Sequence, residues 1–91
     1  MIRIHGHALK HGLTAGDVSF AWNNLIRSRQ RNGSDDPPLW IGIGILPDGR
    51  LVEMVAFLDE EDNWCVFHAM TPPTTKFIRE LQLTRRHHGG N

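Results

Sequence analysis

The sequence has few of the features that mark secreted, disulfide-bonded or membrane-spanning proteins. Its 91 residues include a single cysteine, Cys65, which excludes an intrachain disulfide and favours a reducing compartment. No segment approaches the roughly 18 apolar residues of a membrane helix. The N-terminus also has no apolar core of signal-peptide length. We therefore expect a cytoplasmic protein that does not bind membranes.

Net charge is absent as well, because ten Lys and Arg residues balance ten Asp and Glu residues. This balance argues against nucleic-acid binding through overall charge alone. The charges are segregated, however: residues 1–34 carry five basic residues against one acidic residue, and residues 71–91 carry four against one. The middle of the chain is acidic, so a cationic face remains available for a polyanion.

Length and composition indicate one domain, since 91 residues with 40% hydrophobic side chains fill one core and not two. We assign residues 1–83 to that domain. Residues 84–91 are assigned to a polar C-terminal tail, because Arg85 to Asn91 include no apolar residue.

The helix signals are strongest near Ala15. Thr14 with Asp17 three residues later predicts an N-cap followed by an acidic first turn. Apolar residues then recur at helical spacing, at Val18, Ala21, Trp22 and Leu25. Residues 5–11 are predicted as a short helical turn, and residues 29–38, rich in turn formers, as an exposed loop.

Three strands follow, at residues 39–46, 51–58 and 64–70. An Asp-Gly pair at residues 48–49 predicts a hairpin turn between the first two. In the last strand, alternation places Trp64, Val66, His68 and Met70 on one face. The predicted fold is α+β: a three-stranded antiparallel meander, with residues 2–4 as a short extra strand, packed by an N-terminal helix pair and a C-terminal helix that Thr71 caps.

The junction between the last strand and the last helix is the strongest candidate for chemistry. Transfer at an RNA phosphate needs groups that accept and donate protons, and cations for the developing charge. His68 is the candidate acid or base, and Arg50, Lys76 and Arg79 are candidate phosphate-binding cations. Packing or a local hydrogen bond is the alternative role of His68.

Further residues are candidates for contacts with RNA outside the reacting phosphate. Basic side chains bind the backbone, and an aromatic ring stacks on unpaired bases. A core position is the alternative for the tryptophan, and plain solvation for several of the cations. The candidates are Lys10, Arg27, Arg29, Arg31 and Trp40.

Metal and cofactor sites are not predicted. His5, His7 and His11 have a suggestive spacing, but a zinc site normally needs further ligands, and the only cysteine lies among apolar residues. A small metal-binding protein remains a weaker alternative. Gly42 and Gly44 do not form a phosphate loop, since the required Lys-Ser or Lys-Thr is missing.

The order of these segments resembles the BrnT-type toxins of the RelE superfamily over about residues 8–82. The likeness rests on short segments whose order and spacing match that family. They are Lys10-His11-Gly12 before the first long helix, Trp40-Ile41-Gly42-Ile43-Gly44, Gly49-Arg50-Leu51-Val52, and His68-Ala69 at the strand-to-helix junction. The chain departs from the family at that junction, where it has Phe67-His68-Ala69-Met70 in place of an arginine-rich segment.

The resemblance implies a compact RelE-like fold and RNA cleavage that arrests translation until a cognate antitoxin binds. The expected partners are therefore RNA and an antitoxin protein, with a homodimer as a further alternative. The competing hypothesis is a non-enzymatic protein-interaction domain, an inactive relative of such toxins.

Overall fold

The computed structural model describes the backbone of residues 2–89 and the side chains of residues 2–82. A short 3₁₀ helix spans Gly6–Leu9. The remaining elements are β1 (Ile2–Ile4), α1 (Ala15–Asn23), β2 (Leu25–Gln30), β3 (Trp40–Ile45), β4 (Leu51–Leu58), β5 (Trp64–Met70) and α2 (Thr75–Gly89). No helix within this range is long and apolar enough to cross a membrane.

The strands form one mixed sheet in the order β1-β5-β4-β3-β2. β1 pairs with β5 in parallel, and the other neighbours are antiparallel. The predicted meander is therefore present as β3, β4 and β5, and the predicted N-terminal strand is present as β1. The prediction of three strands was incomplete, because β2 adds an edge next to β3.

Each face of the sheet carries one long helix. On one face α1 buries Val18, Ala21 and Trp22 against the side chains of Met54 and Val66, with the 3₁₀ helix beside them. On the opposite face, Phe77 and Leu81 of α2 pack on Ile41 and Val55. The result is an α+β arrangement in three layers, with the smaller core beneath α2.

α1 begins as predicted and ends earlier than predicted. Thr14 and Asp17 form a full capping box, in which each side chain accepts the other residue's backbone N–H. The helix ends at Asn23, and Leu25 belongs to β2. Leu25 has helical spacing from Val18, but its backbone pairs with Gly44 of β3 instead. A tertiary pairing thus overrides the helical pattern, and the predicted helical stripe was wrong at this residue.

The turn between β3 and β4 has the predicted geometry. Gly49 has a φ of +92°, a region that glycine adopts without strain. The Gly49 N–H donates to the Leu46 carbonyl, and the Leu46 N–H donates to the Arg50 carbonyl. These bonds close the hairpin and set the register of Ile45 opposite Leu51.

A β-bulge in β5 changes which side chains share a face. Val55 pairs with His68 but the next residue, Ala56, pairs with Val66, so Phe67 is the extra residue. Val66 and Ala69 both face α1, whereas Phe67 packs under α2. The predicted alternation, which placed His68 on the face of Val66, was wrong because the bulge reverses it.

The start of α2 also differs from the prediction. Thr74, not Thr71, caps the helix: its hydroxyl accepts the Phe77 N–H, and its carbonyl accepts the Ile78 N–H. The Thr71 hydroxyl donates to the Leu51 carbonyl. The backbone of residues 84–89 continues α2. The side chains of these residues, and residues 90–91 altogether, lie outside the described residues. The predicted polar tail at 84–91 therefore falls largely outside the described part of the chain.

Candidate active site

A buried carboxylate lies behind the histidine at the end of β5. Nε2 of His68 is 2.7 Å from Oε2 of Glu53. The Glu53 side chain is 5% exposed and the His68 side chain 31% exposed. One partner is thus held inside the protein and the other reaches solvent, which is the arrangement of a histidine that an acidic residue orients.

Three elements build this pair. Glu53 lies in the central strand β4, and the bulge in β5 turns His68 to the same face of the sheet. The other carboxylate oxygen, Oε1, accepts the backbone N–H of Thr74 at 2.6 Å. A negative charge at a helix N-terminus is favourable, so Glu53 stabilises the start of α2 as well as holding His68.

The pairing with Glu53 also fixes the tautomer of the neutral His68 imidazole. A carboxylate can only accept hydrogen bonds, so Nε2 of His68 must donate. Within residues 2–82, no side chain or backbone group is hydrogen-bonded to Nδ1 of His68. In the neutral imidazole, the nitrogen with an unshared electron pair is therefore Nδ1.

A second histidine approaches the same ring. The ring centroids of His11 and His68 are 5.9 Å apart, with an angle of 74° between the planes. His11 follows the 3₁₀ helix and is exposed. Two titratable rings from distant parts of the chain thus meet at one place on the surface.

An open cavity of about 280 Å³ adjoins the pair. It is lined by Arg31, Glu53, Val55, Phe67, His68 and Phe77. The guanidinium of Arg31 lies at its edge and donates two hydrogen bonds to the Glu80 carboxylate, at 2.8 and 3.1 Å. The cavity therefore has an apolar wall, a titratable group and a cation whose charge is shared with Glu80.

The predicted phosphate-binding cations Arg50, Lys76 and Arg79 do not line this cavity. Arg50 lies at the hairpin turn, where its side chain donates to Asp48 at 2.8 Å. The backbone and side-chain N–H groups of Arg50 lower the pKa of Asp48 below its ordinary value. Lys76 and Arg79 are exposed on α2, one turn apart and on the same side of the helix.

The predicted RNA-binding cations lie in two parts of the fold. Lys10 is exposed beside His11, and Arg27 is exposed on the edge strand β2. Arg29 of the same strand donates to the Glu80 carbonyl, and Arg31 just after it donates to the Glu80 carboxylate, so both contact α2. Binding of RNA by these residues stays a prediction.

Trp40 is part of an aromatic cluster. Its ring centroid lies 5.8 Å from that of Trp64, and Trp64 lies 5.2 Å from Trp22. Trp22 and Trp64 contribute to the core on the face that α1 covers. Trp40 is half-buried against Trp64, and base stacking by this residue stays a prediction.

Glu53 was not among the residues predicted for the site. Its signal was present: one carboxylate stands among the apolar residues of the predicted strand at 51–58, and a charge that such a strand buries requires a partner. His11 appeared only as a metal candidate. Its proximity to His68 has no local signal, since it depends on how the 3₁₀ helix packs along β5.

The N-terminal histidines and Cys65 have other surroundings. His5 and His7 stack on each other, and Nδ1 of His5 accepts the His7 backbone N–H. Among the described residues, no group of three or more His, Cys, Asp or Glu side chains is arranged to hold a metal ion. Burial, and then the nearby charge of Asp59, raise the pKa of the Cys65 thiol, which makes it a poor nucleophile.

Comparison of the chain with protein-family models, curated proteins and solved structures finds no match. The site is therefore interpreted from its own geometry.

Proposed function

We propose that this chain is a toxin-like endoribonuclease of a toxin–antitoxin system, which cleaves RNA without a metal ion and thereby inhibits translation. The observation that carries the proposal is the Glu53–His68 pair, which opens into a cavity at the surface. A histidine oriented by a buried carboxylate is suited to proton transfer near neutral pH. The resemblance to BrnT-type toxins of the RelE superfamily supports RNA as the substrate, whereas the role of His68 rests on its position and chemistry.

His68 is the proton-transfer group in this proposal, and Glu53 is a positioning residue that fixes its tautomer. Lys76 and Arg79, exposed on the first turns of α2, and Arg50 at the hairpin turn bind phosphates of the RNA. The exposed Lys10 and Arg27, with Arg29 and Arg31, steer the polyanion towards the site. RNA is the reactant because its 2′-hydroxyl supplies an internal nucleophile.

The test is cleavage of a short unstructured RNA in the presence of a metal chelator. We expect the unsubstituted protein to cleave it and His68→Ala to lower the rate by about 10²- to 10⁴-fold, the usual contribution of a general acid or base. His7→Ala is the matched control, since His7 is exposed and stacks on His5, away from the cavity. Equal rates for His68→Ala and the unsubstituted protein would remove His68 from the mechanism.

The toxin role is tested in cells. Induced expression should stop protein synthesis, and His68→Ala should not. Co-expression of the product of a neighbouring short reading frame should restore growth and co-purify with the chain as its antitoxin. Continued synthesis of protein at high expression of the unsubstituted chain contradicts the toxin role.

A second candidate function is a non-enzymatic interaction domain, and the exposed apolar surface near β2 favours it. Ile26 is 59% exposed and Leu51 is 38% exposed. Both line a groove of about 160 Å³ between α2 and the sheet, together with Ile43, Ile78 and Leu81. Apolar grooves of this kind suit a partner protein or a second copy of the chain.

The two functions are separated by combining the cleavage assay with light scattering. If the chain is an interaction domain, we expect no cleavage, and we expect a stable complex or homodimer that Ile26→Asp disrupts. Phe20→Asp is its control, because Phe20 is 41% exposed on α1 and lies outside the groove.

A further inference from the structure

We propose that His11 is the second proton-transfer group of this site, acting as the general acid while His68 acts as the general base. The proposal rests on the ribonuclease function proposed above and assigns it a two-histidine mechanism. Its basis is the distance between the two rings, whose centroids lie 5.9 Å apart. Interactions between residues close in sequence do not account for this approach.

The position of His11 is set by buried residues on both sides of it. Ala8 is fully buried and Leu13 is 4% exposed. Gly12 between them has a φ of +88°, which lets the chain turn sharply. The loop is thus anchored at two points, while the His11 side chain itself remains exposed.

Strand pairing along the outer edge of β5 ends before His68. β1 pairs with β5 only from Trp64 to Val66, and the last backbone bond along this edge is His5 N–H to the Val66 carbonyl. The 3₁₀ helix then packs along β5 and leads to His11. Both rings reach solvent, since His11 is exposed and the His68 side chain is 31% exposed, so a substrate phosphate can approach them without displacing a strand.

The two histidines differ in their partners, and this difference assigns their roles. Glu53 accepts the Nε2 proton of His68, so Nδ1 of His68 is the proton acceptor. Neither ring nitrogen of His11 has a hydrogen-bond partner among residues 2–82. The role of general acid therefore falls to His11, whose exposed ring is open to water.

The reaction then balances in one step. Nδ1 of His68 takes the proton of the 2′-hydroxyl, and the 2′-oxygen forms a bond to phosphorus. The bond from phosphorus to the 5′-oxygen breaks, and the His11 imidazolium gives its proton to that oxygen. The products are a 2′,3′-cyclic phosphate and a 5′-hydroxyl, with a proton on His68 and none on His11, and water restores both rings.

The experiment compares two RNAs of one sequence, one natural and one with sulfur in place of the 5′-oxygen at the cleaved bond. A thiolate leaves without being protonated, so the sulfur substrate does not need a general acid. On the natural RNA we expect His11→Ala and His68→Ala each to lower the rate by about 10²- to 10⁴-fold. On the sulfur RNA, the cleavage rate of His11→Ala relative to the unsubstituted protein should recover by at least about 10²-fold, and that of His68→Ala should not recover.

Controls separate folding from chemistry. His7→Ala should cleave both RNAs as the unsubstituted protein does. Circular dichroism and thermal melting of His11→Ala should match those of the unsubstituted protein, because the exposed His11 ring has no hydrogen bond to lose within residues 2–82. His11→Gln, which keeps polarity and length but cannot transfer a proton, should behave as His11→Ala in both substrates.

The outcomes distinguish this proposal from the one on which it rests. If the unsubstituted protein and His11→Ala cleave natural RNA at the same rate while His68→Ala does not, the ribonuclease function holds and the role of His11 is wrong. Rescue of His68→Ala instead of His11→Ala by the sulfur substrate overturns the assignment of acid and base. Absence of cleavage by the unsubstituted protein overturns both proposals.

Discussion

Gly44 is the residue on which the approach of α1 to the sheet depends. A Cβ atom at this position would lie 2.0 Å from the carbonyl oxygen of Ala21 and 2.6 Å from its carbonyl carbon. Backbone atoms cannot rotate out of the way, so the helix would have to move. Close packing of α1 on the sheet therefore accounts for the glycine at position 44.

We therefore predict that Gly44→Ala lowers the free energy of unfolding by about 3 kcal/mol, near the upper end for an overpacked core. Gly6→Ala is the control, because a Cβ at Gly6 would meet no atom within 4 Å. Urea unfolding of both variants measures the difference. A loss below about 1 kcal/mol for Gly44→Ala would show that α1 shifts more easily than the packing implies.

Asp59 makes stability depend on acid pH. The backbone N–H of Asn63 and then that of Glu61 donate to its carboxylate and hold its pKa below the ordinary value of 3.8. A carboxyl with a lowered pKa in the folded protein contributes stability above its unfolded pKa. That contribution is lost as the pH falls through the folded pKa.

Asp59→Asn should therefore weaken the pH dependence of folding. Between about pH 5 and about pH 2, the free energy of unfolding should fall less for Asp59→Asn than for the unsubstituted protein. Asp36→Asn is the control, since Asp36 is exposed in a loop and accepts no side-chain hydrogen bond among the described residues. Chemical unfolding at a series of pH values measures the slopes, and equal slopes would contradict the role of Asp59.

At the scale of elements, the start of α2 links helix capping to the candidate site. The hydroxyl of Thr74 accepts the Phe77 N–H at 3.2 Å, and the Thr74 N–H donates to Glu53. The Thr74 hydroxyl thus holds the first turn of the helix, and the Thr74 backbone N–H holds the Glu53 carboxylate behind His68.

Thr74→Ala removes the side-chain cap and keeps the backbone bond to Glu53. We predict a loss of about 1 kcal/mol in the free energy of unfolding, the usual value for an N-cap. Thr75→Ala, at the exposed next position, should change it by less than about 0.5 kcal/mol. Thermal or urea unfolding compares the two, and equal effects would exclude Thr74 as the cap.

At the scale of the whole molecule, the two faces of the sheet are unequal. Among the side chains of residues 2–82, eleven buried residues form the core on the α1 face and four form the core on the α2 face. Strand β4 is hydrogen-bonded on both sides, to β3 and β5. Because local opening is easiest where the least apolar surface is buried, we expect α2 to detach before the sheet unfolds.

Native-state hydrogen exchange tests this order. The amides of Ile78 and Leu81 should exchange with a lower opening free energy than those of Met54 and Ala56. The amides of Val18 and Trp22 in α1 provide the comparison with the other helix. Equal opening energies for α2 and β4 would show a single cooperative unit instead.

Local features of the fold are predictable from the sequence alone. The capping box at Thr14 and Asp17, the turn at Gly49, and the bounds of β4 and β5 all follow from interactions among residues a few positions apart. Such interactions are visible in spacing and residue type, because they do not depend on the rest of the chain.

Features that depend on residues far apart in the sequence follow only from the three-dimensional packing of the chain. Leu25–Gln30 became a strand because β3 offers an edge to pair with, and the bulge at Phe67 turned His68 away from the α1 core. The meeting of Glu53, His68 and His11 required β4, β5 and the 3₁₀ helix in place. Residue types were readable from the sequence, but register and long-range packing, which bring them together, are set by the whole fold.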